Sequence, residues 1–288
     1  MNQFTIKDIE AISGIKAQTL RVWEQRYGIL IPKRKASKHR IYDDNDLKNI
    51  LCVAHLNQNG YKISRIARMT AEEMATLTLS NTITDQAYRH LIIEYIEAIR
   101  RFDTERFNQI YKSHSNIEFE KIVLYIFYPL LEYIGRGWIV NQLKPAQEHF
   151  ASELISSKID YEIQRLPKVE TEDMTLLFLP KGEFHKLPLL YISYLLKKYH
   201  KKAVFLGADV AIDTIKSYLE KRAVTHLHTH LITEFLEEDP NLIIRKLLNI
   251  CSKQQIIVSG PATKNIQLTH QRLKLLTSME SLISHCKR

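Results

Sequence analysis

Residues 15–42 read IKAQTLRVWEQRYGILIPKRKASKHRIY. The run from Lys16 to Arg26 predicts a short helix, with Gln18, Thr19, Arg21 and Arg26 on polar positions and Leu20, Val22 and Trp23 turned inward. Tyr27 and Gly28 supply a turn, and Ile29 to Ile31 and Arg40 to Tyr42 predict two short strands. Between the strands lies Lys33-Arg34-Lys35-Ala36-Ser37-Lys38-His39, a cationic loop. A basic helix beside a basic hairpin suits duplex DNA: the helix enters the major groove while the loop neutralises phosphates. The residues expected to face such a duplex are Lys16, Gln18, Thr19, Arg21, Arg26, Tyr27, Lys33, Arg34, Lys35, Lys38, His39, Arg40 and Tyr42.

The charge distribution supports this reading. The chain has 288 residues, 45% of them hydrophobic, enough for two or three domains with their own cores, and a net charge of +9. Through Met69 there are thirteen lysines and arginines against six aspartates and glutamates, so a quarter of the chain carries most of the excess. A solvated basic face kept for solubility alone would not concentrate charge in this way. A basic module on a near-neutral body suits a DNA reader joined to a sensing domain. Cys52, Cys251 and Cys286 are widely spaced with no CxxC, which points to a reducing compartment and no structural zinc. No apolar run approaches the roughly 20 residues of a membrane span, and no signal peptide is indicated, so a cytoplasmic location is expected.

Upstream, Thr5 predicts the cap of a helix to Ser13, with Asp8 as a weaker partner than the Glu or Gln of a capping box. Downstream, Asp43 to Asp46 start a helix carrying Leu47, Ile50, Leu51 and Ala54; Asn59-Gly60 breaks it and Tyr61 to Ala67 begins another. Arg65 and Arg68 read equally well as phosphate contacts and as solvated helix charges. Residues 70–83 are Thr/Ser/Asn-rich and weakly periodic, and the first domain boundary is placed there.

The ordered run Thr5-Ile6-Lys7-Asp8-Ile9, Gly14-Ile15, Thr19 to Gly28 and Arg40-Ile41-Tyr42 resembles the winged helix-turn-helix of MerR-family regulators. The resemblance covers roughly residues 3–69 and implies a DNA-binding regulator working on promoter DNA as a dimer or tetramer.

From Thr84 to Leu166 the pattern is helical. Four apolar stripes are built on Leu91/Tyr95/Ile99, on Phe107/Ile110, on a run from Phe119 to Ile134, and on Phe150/Leu154/Ile159. They predict a four-helix bundle. From Met174 short apolar runs alternate with helices: Met174 to Leu179, Ala203 to Leu206, Val224 to Ile232, Gln255 to Val258 and a candidate fifth at Leu273 to Leu276. This predicts a flavodoxin-like, Rossmann-type parallel sheet with ligands at the carboxyl ends of its strands. The expected class is α plus α/β, divided as a winged helix-turn-helix (1–75), a helical bundle (84–166) and a flavodoxin-like domain (172–288).

Three segments stand out within these two parts. Trp138 is followed after nine residues by Glu148-His149; Gly182-Glu183-Phe184-His185 lies past the first strand; Ser259-Gly260-Pro261 lies past the fourth. Alone, a bundle tryptophan is ordinarily core and a lone histidine ordinarily surface. In this order they resemble the cobalamin-binding half of CarH/LitR-type MerR photoreceptors. The resemblance implies His185 as the lower axial ligand of cobalt, with Glu183 positioning its loop. It implies Trp138 over the upper face, where an adenosyl group sits, Glu148 bonded to that group, and His149 near enough to replace it after light. Thr229, Ser259 and Gly260 fall where the groove for the nucleotide tail is built. The chain departs from the pattern at Pro188 (for the glycine of H-x-x-G), Thr229 (for the serine of S-x-L) and Ser259 (for the first glycine of G-G).

His226, His228 and His230 share one strand face by their period of two. Burying three unpaired imidazoles is costly, so that face is expected to be wet or to line a pocket, with a metal site as the other reading. No Walker loop, G-x-G-x-x-G or nucleophile with a base occurs, and there are only eight glycines, so no enzymatic activity is expected. Two functions follow: a regulator, expected to repress, controlled by adenosylcobalamin and light; or a regulator whose cobalamin-like half has lost the cofactor and serves oligomerisation or partner binding. A third, a corrinoid-carrying enzyme subunit, has no use for the basic wing.

Overall fold

The structure, a computed structural model, describes residues 3–30, 32–34, 40–80, 87–232 and 238–288, and leaves the side chain of Arg34 outside that description. The chain divides into two compact units, residues 1–154 and 155–288.

In the first unit, α1 (Ile6–Ser13) starts at a full capping box. Asp8 N donates to Thr5 Oγ1 at 3.3 Å and Thr5 N donates to Asp8 Oδ2 at 2.7 Å, so the shorter carboxylate closes the box as a Glu would. Gly14 follows at φ 69° and turns the chain into α2 (Ala17–Tyr27), which buries Leu20 and Trp23. Val22 is 47% exposed, contrary to expectation. At about 100° per residue it lies some 200° from Leu20, on the face opposite the core.

The hairpin also differs. Its strands are β1 (Lys33–Arg34) and β2 (Arg40–Ile41), antiparallel with Lys33 opposite Ile41, rather than Ile29 to Ile31 with Arg40 to Tyr42. Leu30 is drawn into the core, and Pro32 lacks the N–H a ladder needs, so pairing begins after it. Ile31 falls outside the described residues. Tyr42 instead bridges Phe4, each backbone N–H bonded to the other's carbonyl at 2.9 and 3.0 Å.

Helix α3 (Asp44–Gln58) is capped by Asp43 with Asp46 closing the box, and α4 (Ile63–Ile66) follows Gly60. Replacing Asp43 by alanine removes the carboxylate that accepts from two backbone N–H groups, Asn45 N at 3.0 Å and Asp46 N at 3.1 Å, and is expected to cost about 1 kcal/mol in urea unfolding. Residues 71–80, within the stretch expected to hold the first domain boundary, are helical. They form α5 (Ala71–Ser80), started by Thr70-Ala71-Glu72-Glu73, in which Glu73 N donates to Thr70 Oγ1 at 3.1 Å and Thr70 N to Glu73 Oε2 at 2.7 Å. Helix α5 packs on α3, where Thr78 Oγ1 lies 3.3 Å from Cys52 Sγ.

The helices α6 (Arg89–Arg100) and α7 (Thr104–Ser113) pack together around Tyr95 and Phe107, whose ring centroids are 4.6 Å apart. The third expected helix is split into α8 (Phe119–Ile122), a π-helical turn (Val123–Phe127) and α9 (Tyr128–Ile139). Pro129 explains the split. It has no N–H for the carbonyl of Tyr125 and its ring would strike it, so the preceding turn widens. Helix α10 (Pro145–Arg165) runs across the division between the units.

The second unit holds a five-stranded parallel sheet among the described residues, in the order β4-β3-β5-β6-β7. The strands are β3 (Met174–Pro180), β4 (Lys202–Val210), β5 (His226–His230), β6 (Gln255–Ser259) and β7 (Leu273–Leu276). The helices are α11 (Lys186–Lys198), α12 (Ile212–Lys221), α13 (Pro240–Ile250) and α14 (Met279–Lys287). This is a flavodoxin-like order, in keeping with the parallel sheet expected from the alternating pattern, with the fifth run as a true strand. A 3-10 turn at Pro261–Asn265 stands between β6 and β7. The order reverses at β3, between β4 and β5, which makes the carboxyl ends of β3 and β5 the natural crevice.

Candidate DNA-binding face and cobalamin site

On α2 the side chains of Gln18, Arg21, Val22 and Gln25 are exposed at spacings of three and four, forming one continuous face. Lys16 stands at its N-terminal cap, exposed and 3.5 Å from Glu10. Arg26 is exposed, its guanidinium over the Tyr27 ring at 5.4 Å; Thr19 and Tyr27 are half-buried. Lys33 is exposed and donates to Asp43 at 3.3 Å.

Two of the expected contacts have other roles. Tyr42 is 1% exposed, a core residue with no surface to offer a duplex. Its hydroxyl is buried without a partner among the described residues, and burial pushes its pKa up. Arg40 forms a forked pair with Glu24, Nε at 2.9 Å and Nη2 at 3.3 Å, which fastens the hairpin to the reading helix. Lys35, Lys38 and His39 lie outside the described residues, as does the side chain of Arg34. Val22, which the sequence reading turned inward, belongs to the exposed face; the half-turn offset from Leu20 was the available signal.

In the same unit Trp138 ends α9, half-buried, and Glu148 and His149 lie in the first turn of α10. Glu148 Oε1 accepts from Ser152 Oγ at 2.9 Å and its Oε2 lies 3.2 Å from His149 Nδ1. The His149 ring is exposed.

In the second unit the loop after β3 is pinned at nearly every residue. Gly182 N donates to Asp209 Oδ1 at 2.9 Å, Asp209 N to the Glu183 carbonyl at 3.3 Å, and Glu183 N to the Pro180 carbonyl at 3.0 Å. The Glu183 side chain is fully buried, with no exposed surface. Its Oε1 accepts from His185 N at 3.1 Å and lies 2.6 Å from His185 Nδ1, and its Oε2 accepts from Ile232 N at 2.9 Å. One carboxylate therefore ties the loop after β3 to the chain leaving β5, at the crevice. With Nδ1–H directed at Glu183, the imidazole presents Nε2 from a half-exposed ring. A neutral imidazole oriented by a buried carboxylate is a good donor to a transition-metal ion. Sequence reasoning missed Asp209, which nothing but its place at the end of β4 marks.

Among the described residues Thr229 Oγ1 and His228 Nδ1 are buried without hydrogen-bond partners, and Thr229 is 1% exposed. Such orphans suit a ligand bearing polar atoms. Gly260, at φ +101°, lies against Leu231, where a Cβ would stand 2.3 Å from the carbonyl oxygen. Pro188 occupies the third position of α11, where an N–H has no intrahelical acceptor, so the helix tolerates it. These residues fit a cobalamin: an imidazole able to donate to cobalt, a rigid loop and, among the described residues, unsatisfied polar atoms near the strand ends.

The histidine face is not wet. His228 has no exposed surface and His230 is 7% exposed. Their rings meet at Ser259 Oγ, His228 Nε2 at 3.0 Å and His230 Nδ1 at 2.8 Å. One hydroxyl can donate to one ring and accept from the other, so shared pairing lowers the cost that the single strand implied. Burial holds His228 well below its usual pKa and brings His230 to about 4. Among the described residues no group of three His, Cys, Asp or Glu is placed to hold a metal ion without a cofactor, and no helix is long and apolar enough to cross a membrane.

The profile of the MerR HTH family regulatory protein matches residues 4–73, and that of the B12 binding domain matches residues 91–161. Over 211 residues the chain is 23% identical to the HTH-type transcriptional repressor CarH of Myxococcus xanthus, covering 71% of this chain and 70% of that protein. Over 259 residues it is 24% identical to the HTH-type transcriptional repressor CarA of the same organism, covering 88% and 85%. In fold it is similar to the monomethylamine corrinoid protein of Methanosarcina barkeri, with a TM-score of 0.52 at 10% identity, over 69% of this chain and 98% of that one. The two repressors are named as regulators, not enzymes.

Proposed function

We propose, from the premise that this chain is a MerR-type DNA-binding regulator with a B12-binding domain, homologous to the CarH and CarA repressors, that it represses under the control of adenosylcobalamin and light. The proposal divides the work among a winged helix-turn-helix (1–75), a bundle (84–166) and a flavodoxin-like domain (172–288), acting in the cytoplasm as a homo-oligomer. The observation that carries it is the buried Glu183 carboxylate gripping His185 Nδ1 at 2.6 Å while the ring faces outward.

On this reading His185 would hold the cobalt and Glu183 would keep its tautomer. Thr229, Ser259 and Gly260 would border the nucleotide tail, Trp138 would cover the upper face, and Glu148 would hydrogen-bond the adenosyl group. His149, whose exposed ring lies 3.2 Å from Glu148, would take the place of that group after light. The bound cofactor supplies a cobalt–carbon bond that visible light cleaves. The adenosyl group must favour a DNA-binding assembly, a tetramer by resemblance, over its dissociated form for light to act as a switch.

Purified chain loaded with adenosylcobalamin in the dark is expected to be coloured, and green light should change both its spectrum and its hydrodynamic size. His185→Ala should weaken retention of the cofactor by about 10–100-fold. A colourless wild-type product of unchanged size would overturn the reading. It would favour the alternative, a domain that kept the fold, lost the cofactor and serves for oligomerisation or partner binding; Pro188 in place of a glycine is the feature on that side.

A further inference from the structure

Within the first unit, α9 ends against the DNA-binding module. Lys48, on α3, sets its ammonium over the Trp138 ring, 4.7 Å from the centroid, and donates to Asn141 Oδ1 at 2.7 Å. Asn141 holds a left-handed backbone, φ 58°, in the turn after α9. Beside it, Ile139 and Val140 pack on the core formed by Ile9, Leu20, Trp23 and Ile50. One turn earlier Arg136 donates to the Thr78 carbonyl of α5 at 3.4 Å and pairs with Glu132. The last turns of α9 are thus held by the Lys48 side chain of α3 and the Thr78 carbonyl of α5 together, and Trp138 is in direct contact with the helix that follows the hairpin.

We infer that Lys48 is a positioning residue that couples the state of the Trp138 indole to the DNA-binding module. The inference rests on the reading above only in naming what disturbs Trp138: a corrinoid packed against that indole. A ring that shifts by an ångström weakens a cation–π contact and strains the Asn141 bond. Because α3 carries both the hydrophobic core of the module and Lys48, the hairpin and reading helix on that core feel the change. The contact links two elements by packing and charge and needs no longer pathway. Affinity for DNA and affinity for the cofactor must then affect each other by the same factor.

The test uses the full chain and a duplex selected from a random pool by the wild-type protein. In the wild type, loading with adenosylcobalamin in the dark changes the duplex affinity by some ratio. Lys48→Met is expected to move that ratio toward one by roughly threefold or more, with the visible spectrum of the loaded protein unchanged; Lys48→Arg, which keeps the cation, should retain it. A full ratio in Lys48→Met overturns the inference. If the wild type takes up no cobalamin, the functional reading fails and the coupling is judged without it. Trp138→Leu should then change duplex affinity in the wild-type background but not in Lys48→Met. Equal effects in both backgrounds, or none in either, overturn the coupling.

Discussion

Lowering the pH from about 7.5 to about 5 is expected to remove at least 2 kcal/mol of stability from the second unit, well before its carboxylates titrate. The cause is a set of imidazoles folded in the neutral state. Burial brings His230 to about 4, with the Glu183 carboxylate opposing the shift and His185 adding to it. His285, on α14, is brought to about 4 by burial and by the charges of Lys274 and Lys201, with Lys274 Nζ donating to its Nδ1 at 3.0 Å. His228, 6.2 Å from the His285 ring, is held well below its usual value by burial and by its histidine neighbours.

The sign follows from where the proton goes. Above about pH 6.5 both folded and unfolded chains carry neutral imidazoles and stability is flat. Below it the unfolded chain takes up protons that the folded chain refuses, and stability falls until the folded rings titrate near 4. By about pH 5 a group shifted as far as His230 loses roughly 2 kcal/mol, with a smaller share from the partly open His285. Urea unfolding followed by circular dichroism across this range gives the curve. A flat profile from about 7.5 to 5 would show that these rings accept protons in place. His285→Gln should flatten part of the slope.

The same rings mark the limit of what the chain discloses one strand at a time. The period of two placed His226, His228 and His230 on one face, and that placement is right. The expectation that the face is wet or lines a pocket did not foresee this pairing: the two inner rings are buried, and Ser259, one strand away, receives both. A cost computed for unpaired imidazoles holds only until the neighbouring strand is known, and no local pattern pairs residue 228 with residue 259. By contrast the parallel sheet was legible, because alternating apolar runs and helices admit few topologies. Caps were legible too where the residue types were sought: Asp43 was recognised, while Thr70 with Glu73 carries the same signal inside a stretch whose polar composition suggested a domain boundary. At the candidate site, Glu183 and His185 were readable as a pair two residues apart. The third member, the Ile232 N–H, was not, since a backbone donor has no letter in the sequence. Tyr42 shows the opposite error: it sits in a basic hairpin and reads as a DNA contact, yet it is buried in the core.

Replacing Gly260 by alanine is expected to cost about 3–5 kcal/mol and to lower the melting temperature of the second unit by on the order of 10 °C. The left-handed backbone at φ +101° already disfavours any side chain. A Cβ there would also stand 2.3 Å from the Leu231 oxygen, 2.9 Å from its carbonyl carbon and 3.0 Å from its nitrogen. None of these is the tip of a flexible side chain. Leu231 is itself held by β6 and the turn beyond it: its N–H donates to the Ser259 carbonyl at 2.8 Å and its carbonyl accepts from Ala262 N at 3.2 Å. Relief of the contact therefore requires parting two strand ends and breaking at least one of those bonds. Loss of cofactor in this variant would say nothing about contact with the nucleotide tail, because the strand end itself would be displaced. Ser259→Ala makes the separation. It leaves the backbone in place and removes the hydroxyl shared by His228 and His230, so it should cost about 1–3 kcal/mol through the unpaired rings. A melting temperature for Gly260→Ala within a few degrees of wild type would mean that the β5 and β6 ends can part cheaply. The crevice they border would then be far softer than its hydrogen bonds imply.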